Sequence, residues 1–330
     1  MAFKVGMVGL EMHASYLLAG IEQSDKLDLV GYVGKEEQRP HLEKLQPKKG
    51  LPIYPTLEAL LSEQDPDIVG ISIISKDQGH QAVKALKAGK HVITDKPLLT
   101  TREDLDSVKA ELGRNGDLRL SMLLTLRASP QYTELRNAVQ EGRIGDVVNC
   151  YAKRSATLRP EIRPFWAFRY DLSGGPILDL VIHDIDAVRW ITGLEFVSTA
   201  GHQANVDGHA RGTFYDQSQS LFVMSNGASL AVEGHRNVAP TVRGMDSRMT
   251  IVGTKGHLDL DMRGHVFQYL QDTSGEITDL PKVDHLVADF ANCLESGKDP
   301  ILTTADVITA MEVCLAGKEA CETGKWVKIA

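Results

Sequence analysis

Cysteine is scarce in this chain of 330 residues, and the four present, Cys150, Cys293, Cys314 and Cys321, lie far apart with no Cys-x-x-Cys pair. That spacing argues against a zinc site and for reduced, mostly buried thiols in a cytoplasmic protein. Long apolar runs are missing as well, so no segment is expected to span a membrane. The first residues, Met1-Ala2-Phe3-Lys4-Val5-Gly6, run straight into an apolar strand pattern and are read as carrying no secretion signal. Basic charge is not in excess: the formal net charge is −8, which argues against a nucleic-acid partner, because neutralising phosphates takes Lys and Arg. Internal repeats, low-complexity segments and flexible linkers are absent too. What is there is a soluble globular composition, 42% hydrophobic and 24% charged, in a chain long enough for two domains.

The first part alternates strand and helix. Phe3 to Gly9, Leu27 to Val33, Ile68 to Ile74, Lys90 to Thr94 and Arg119 to Leu124 read as buried strands. His13 to Gln23, Leu57 to Ser62, His80 to Gly89 and Asp104 to Gly113 read as the helices among them. Such alternation predicts a doubly wound parallel sheet over residues 1–124, with ligands at the carboxyl ends of its strands. Beyond residue 125 the pattern changes. A helix over Pro130 to Glu141 is followed by strand-like stretches from Val147 to Leu270, separated by turns such as Ser225-Asn226-Gly227. Short links of this kind favour antiparallel pairing. Helices over His285 to Ser296 and Thr304 to Thr323 close the chain. Residues 125–330 therefore read as an α+β domain with a large open sheet, one face of which needs cover from helices or a second subunit.

Two constellations carry chemistry. In the first, Gly174-Gly175-Pro176 reads as a turn, and from Ile177 apolar residues recur at helical steps. On a helix there, Asp179 and His183 stand four residues apart and share a face. The carboxylate can orient the imidazole or share a substrate's hydroxyl groups with it, and an imidazole near its ordinary pKa accepts a proton at neutral pH. The same spacing also describes an ordinary surface pair. The second constellation is Asp95-Lys96-Pro97, just past a buried strand at the ligand edge of the sheet. An ammonium there can polarise a carbinol or carbonyl oxygen; a solvated lysine in a turn is the plain alternative.

Together these residues resemble the glucose–fructose oxidoreductase / inositol dehydrogenase / MocA (Gfo/Idh/MocA) family of NAD(P)-dependent oxidoreductases. Asp95-Lys96-Pro97 looks like its Glu-Lys-Pro motif, and Gly174-Gly175-Pro176 through Asp179, His183 and Asp186 like its Gly-Gly-Gly…Asp-x-x-x-His-x-x-Asp motif, with Trp166 ahead of it. Ser72 to His80 is similar to the strand and loop ending in a His beneath the nicotinamide, Arg127 with Pro130 to the segment opening the second domain, and Ile251 to Gly256 to a Gly-Thr-Lys-Gly turn. The resemblance implies an N-terminal Rossmann domain and a C-terminal open-sheet domain that forms dimers or tetramers. It also implies His183 as general base, Lys96 as the residue polarising the reacting oxygen, and Asp179 as the aspartate that binds substrate and orients the base. Gly9, Met12, His13, Lys35, Ser75, Asp77, His80, Asp95 and Lys96 would contact the cofactor. Arg127, Arg163 and Trp166, with Asp179 and His183, would contact a sugar or polyol; Arg159, Arg169 and His235 are further polar candidates. Arginines suit a carboxylate or phosphate on the substrate.

Three departures all touch cofactor binding. At the fingerprint positions of the glycine loop stand Gly9, Glu11 and Ala14, and His13 arrives about four residues early, as if one turn were deleted. Gly34 replaces the acidic residue that would hold the adenosine ribose, while Lys35 and Arg39 suit a 2′-phosphate, which tips the expectation from NAD towards NADP. Ser75-Lys76-Asp77 replaces the usual Thr-Pro-Asn. The leading reading is an NAD(P)-dependent dehydrogenase or reductase of a sugar, cyclitol or polyol. The damaged loop motivates a second reading, a sugar-binding or regulatory module without dinucleotide. A tightly held nicotinamide serving a net non-redox reaction is a third.

Overall fold

The computed structural model describes residues 2–46, 48–206, 213–242 and 244–329, which divide into two compact units. The first comprises residues 1–123 and 284–311, the second 124–283 and 312–330.

The first unit is built on β1 (Phe3–Val8), α1 (Ala14–Glu22), β2 (Leu27–Val33), α2 (Arg39–Leu45), β3 (Ile53–Tyr54), α3 (Leu57–Gln64), β4 (Ile68–Ile71), α4 (Ser75–Lys87), β5 (His91–Thr94), α5 (Arg102–Arg114) and β6 (Leu120–Met122). The strands form one parallel sheet in the order β3-β2-β1-β4-β5-β6, which reverses direction between β1 and β4, the place where doubly wound sheets take ligands. β4 is buried at every position, as an apolar strand covered on both faces must be. Helix starts follow side-chain caps: Thr56 Oγ1 accepts from Ala59 N at 3.2 Å, and Thr101 Oγ1 from Asp104 N at 3.2 Å. α4 begins at Ser75, five residues before the start expected at His80, because its first turn is polar and hides the apolar period. The short α2 and β3 carried too little periodicity to be read at all.

The second unit contains α6 (Pro130–Gln140), β7 (Val147–Ser155), α7 (Tyr170–Ser173), α8 (Ile182–Thr192), β8 (Phe196–Ala204), β9 (Gln217–Met224), β10 (Ser229–His235), β11 (Asp246–Gly253), β12 (Gly256–Leu260), β13 (Val266–Leu270) and β14 (Ser274–Ile277). The chain then supplies α9 (Leu286–Ser296) to the first unit, α10 (Thr304–Thr323) to both in turn, and β15 (Val327–Lys328) to the second. The return of residues 284–311 to the first unit follows from packing: His285 stacks on Tyr16 of α1 at 4.1 Å, and a Cβ on Gly20 would meet His285 and Val287 below 3 Å.

Nine strands form the second sheet in the order β14-β13-β12-β11-β7-β10-β9-β8-β15, all antiparallel except β7 with β10. Along β7, β9 and β10 buried residues alternate with accessible ones. One face is core, with Cys150, Ala152, Phe222, Leu230 and Val232 all buried. The other presents Tyr151 (55% exposed), Leu221 (38%) and Tyr269 (39%). All four cysteines are free thiols, three of them buried. Among the described residues no helix is long and apolar enough to cross a membrane.

α8 is anchored by charge on its core side. Asp186, 1% exposed, accepts from Arg127 Nε at 2.9 Å and Nη2 at 2.7 Å, and the Arg127 guanidinium lies 5.6 Å from the centre of the Trp190 ring. Asp184, fully buried, accepts from Arg154 Nε at 2.5 Å and Nη2 at 3.2 Å. Breaking such a pair from one side leaves a buried charge unmatched, at about 3–5 kcal/mol. Arg127→Met should therefore lower the urea midpoint by an amount equivalent to about 3 kcal/mol or more, and Arg127→Met with Asp186→Leu should recover most of it. A single variant as stable as the parent would show that the pair carries no such constraint.

Candidate active site

In the first unit the candidate residues gather at the carboxyl ends of β1, β4 and β5. Gly9 follows β1 at φ +77°, a conformation strained for any side chain, and a Cβ there would stand 2.4 Å from the Ser72 carbonyl oxygen. The shortened loop after it is tied down by its neighbours. Glu11 N donates to Ser72 O at 2.9 Å, and the single hydroxyl proton of Ser72 Oγ is shared between Glu11 O at 2.6 Å and Asp95 Oδ2 at 3.1 Å. Asp95 further accepts from His13 N at 3.0 Å and Lys96 N at 2.7 Å, with Oδ1 3.0 Å from His13 Nδ1. Burial works against the Asp95 charge, but the His13 hydrogen bond and the charges of His13 and Lys96 outweigh it and hold the carboxyl below its ordinary range. Asp95, expected at the cofactor, is 2% exposed, and its oxygens are taken up by the loop after β1 through His13 N and Nδ1.

Lys96 is 6% exposed, and Gln78 Nε2 holds the next carbonyl, that of Pro97, at 2.8 Å. Ser75 is buried and Asp77 exposed in the first turn of α4. His80, expected at the end of a loop, instead lies within α4 with its side chain 67% exposed, 3.8 Å from Asp104. At the end of β2 the absent acidic residue has a steric reason: a Cβ on Gly34 would stand 2.2 Å from the ring of Tyr32, which is fully buried. Burial, and then the charge of Glu11, push the Tyr32 phenol up to about 12. Arg39 is occupied by Glu36 and by Leu51 O at 3.0 Å, whereas Lys35 is exposed. A parallel sheet of this order, a positive-φ glycine after β1 and a first turn of α1 without acidic side chains fit a dinucleotide.

In the second unit Gly174 and Gly175, both at φ +80°, turn the chain into Pro176. Ile177–Val181 then forms one widened turn with i→i+5 spacing before α8 begins, so Asp179 lies on a π turn rather than on the regular helix expected. Asp179 Oδ2 accepts from Arg163 Nη2 at 2.9 Å and from Arg236 Nη2 in a tighter contact. His183, four residues on, is partly buried in the first turn of α8. Tyr170, Pro176, Phe214 and Tyr215 wall a small pocket that reaches Asp179 and Arg236. The broad depression on the open sheet face, lined by Tyr151, Lys153, Leu221 and Arg248 among others, holds none of the expected site residues.

Of the other residues expected at the substrate, Arg163 does reach Asp179, and Trp166 is buried in the turn Phe165–Phe168. Arg127, also expected there, is 1% exposed, with Nε and Nη2 both on Asp186. Arg159 is exposed and Arg169 pairs with its neighbour Asp171 at 2.9 Å. His235 has its pKa lowered by burial, and its Nδ1 accepts from Asn237 N at 3.2 Å. Sequence reading missed Arg236, although strand alternation carried the signal. Leu230, Val232 and Gly234 are buried, and continuing the period of two puts position 236, not 235, on their face.

Comparison with known proteins agrees with this architecture. Residues 3–122 match the model of the oxidoreductase family with an NAD-binding Rossmann fold, and residues 132–259 match the GFO/IDH/MocA C-terminal domain. The chain is 26% identical to scyllo-inositol 2-dehydrogenase (NAD(+)) of Bacillus subtilis over 81% of its own length and 79% of that protein. It is 24% identical to myo-inositol 2-dehydrogenase of Thermotoga maritima over 99% and 98% of the two chains. A solved oxidoreductase from Thermotoga maritima shares the fold with a TM-score of 0.92 at 22% identity, covering 99% of this chain and 100% of that one.

The Asp95 carboxyl gives a pH signature. Because its folded pKa is lowered, its contribution is fully present above the unfolded value of about 4 and is lost as pH falls through the folded value. The stability gap between the parent and Asp95→Asn should be constant near about pH 7 and narrow steadily as the pH falls below about 4. A gap that stays the same across that range, measured as urea midpoints, would contradict the assignment.

Proposed function

Since this chain belongs to the Gfo/Idh/MocA family and is an NAD(P)-dependent oxidoreductase acting on CH–OH groups, we propose that it moves hydride between NAD(P) and a sugar, cyclitol or related polyol. His183 is the general base and Lys96 the cation that polarises the reacting oxygen. The nicotinamide, when bound, supplies the hydride acceptor. As a carbinol carbon becomes a carbonyl, its hydroxyl proton must leave, and the imidazole of His183 takes it. The Lys96 ammonium offsets negative charge that develops on the oxygen. Asp179 fixes substrate hydroxyl groups and is itself held by Arg163 and Arg236.

Gly9, Met12, His13, Lys35, Ser75 and Asp77 hold the cofactor, and Lys35, the cation left exposed after β2, favours NADP over NAD. A second copy of the chain covers the open sheet face, giving a homodimer or homotetramer. The observation that carries the catalytic reading is the presence of Asp95-Lys96-Pro97 and Asp179-x-x-x-His183-x-x-Asp186 in one chain that matches the family in both halves.

Titration with NADH and NADPH, followed by a screen of polyols and sugars, tests it. NADPH should bind more tightly than NADH. His183→Asn and Lys96→Met should each lower kcat by about 10²–10⁴-fold with nucleotide affinity retained. Failure of both nucleotides to bind at millimolar concentration, or full turnover by either variant, would refute it.

A further inference from the structure

The two guanidiniums on Asp179 come from separate stretches, Arg163 ahead of the Phe165–Phe168 turn and Arg236 just past β10. The side chains of Arg163, Arg236 and Asp179 are 11%, 10% and 16% exposed. Each arginine gives one N–H to the same oxygen, Asp179 Oδ2, although a guanidinium has five. Arg163 Nε is buried and has no acceptor among the described residues. Burial works against the Arg236 charge, Asp179 supports it and Arg163 opposes it, so two guanidinium cations meet on the one Asp179 carboxylate. This triad keeps one positive charge in excess, in a place largely closed to water, with donors still unused. An excess charge held out of solvent is among the costlier arrangements in a protein, and an incoming anion removes the cost.

We propose that Arg163 and Arg236 together bind a carboxylate on the substrate, so that the enzyme acts on a sugar acid or another polyhydroxy carboxylate in preference to a neutral polyol. This rests on the reading of Asp179 and His183 as the substrate site. Carboxylate fits better than phosphate. A single excess charge balances a monoanion, whereas a phosphate monoester carries about −1.5 to −2 at neutral pH. The planar pair of carboxylate oxygens also matches the guanidinium fork. The carboxylate is held and not transformed, so the hydride and proton balance of the reaction is unchanged.

The test pairs compounds of one carbon skeleton, glucose with glucuronate and glucitol with gluconate, together with glucose 6-phosphate, in turnover with NAD(P) and in calorimetric binding to the full chain. The acids should bind more tightly and turn over with higher kcat/KM than their neutral partners. Arg236→Gln and Arg163→Gln should each reduce that preference by about 30-fold or more, chiefly through KM. Because each variant leaves one arginine on Asp179, it should melt no lower than the parent without ligand. Turnover of neutral sugars with no preference for acids overturns this proposal and leaves the oxidoreductase reading intact. Acid binding that needs both arginines without nucleotide-dependent turnover does the reverse. A preference for glucose 6-phosphate, or variants that keep the acid preference whatever their melting temperature, also overturns it.

Discussion

Charge matching along the segment from Asp179 to Asp186 decides what α8 can do. Asp184 and Asp186 are buried and each is met by one guanidinium, from Arg154 on β7 and from Arg127 before α6. Those neutral pairs fix the rotation of the helix, and with it the direction in which His183 leaves the backbone. An unpaired carboxylate in the same place would be driven towards its neutral form and would hold nothing. Asp179 breaks the pattern, since it faces two guanidiniums. Three carboxylates within one short stretch thus have two kinds of environment. The matched ones hold the scaffold, and the over-matched one lies beside a pocket.

A second coupling operates in the first unit. A glycine loop shortened by a turn would leave the start of α1 without support, and the polar groups of the loop without partners. Here Asp95 fills that role, taking N–H groups from His13 and Lys96 and the hydroxyl of Ser72. Asp95 therefore links the loop after β1 to Lys96 through a single carboxylate. Likewise the missing acidic residue after β2 is not an isolated loss, because the buried Tyr32 ring occupies the space a side chain at 34 would need.

Much of this was legible in the sequence, for identifiable reasons. The parallel sheet came through because fully apolar strands such as Ile68–Ile71 alternate with amphipathic helices. The open sheet came through because turn signals separate its alternating strands. Lys96, Asp179 and His183 were visible as motifs. Partners were not. Nothing local says that Arg127 belongs to Asp186, fifty-nine residues away, rather than to a substrate. Arg236 was hidden by a phase error of one residue, since in a strand adjacent positions face opposite ways. The π turn at Ile177–Val181 was missed because its apolar residues also satisfy an α-helical spacing. The start of α4 was missed for the opposite reason, a polar first turn with no apolar period to read.

These two couplings bear on whether the chain is an enzyme or only a binding module. The binding-only reading drew its force from the damaged glycine loop. In this structure the backbone groups of that loop are satisfied by a buried, charged side chain. Such a carboxylate is costly unless each oxygen is used, and in Asp95 both are. The turn after β1 is thus hydrogen-bonded without the second and third fingerprint glycines, and the parallel order of the sheet and the positive-φ glycine are present. Asp95 thus supports a turn of the first unit through both of its oxygens, while Asp179 in the second unit carries two guanidiniums on one oxygen beside a small pocket.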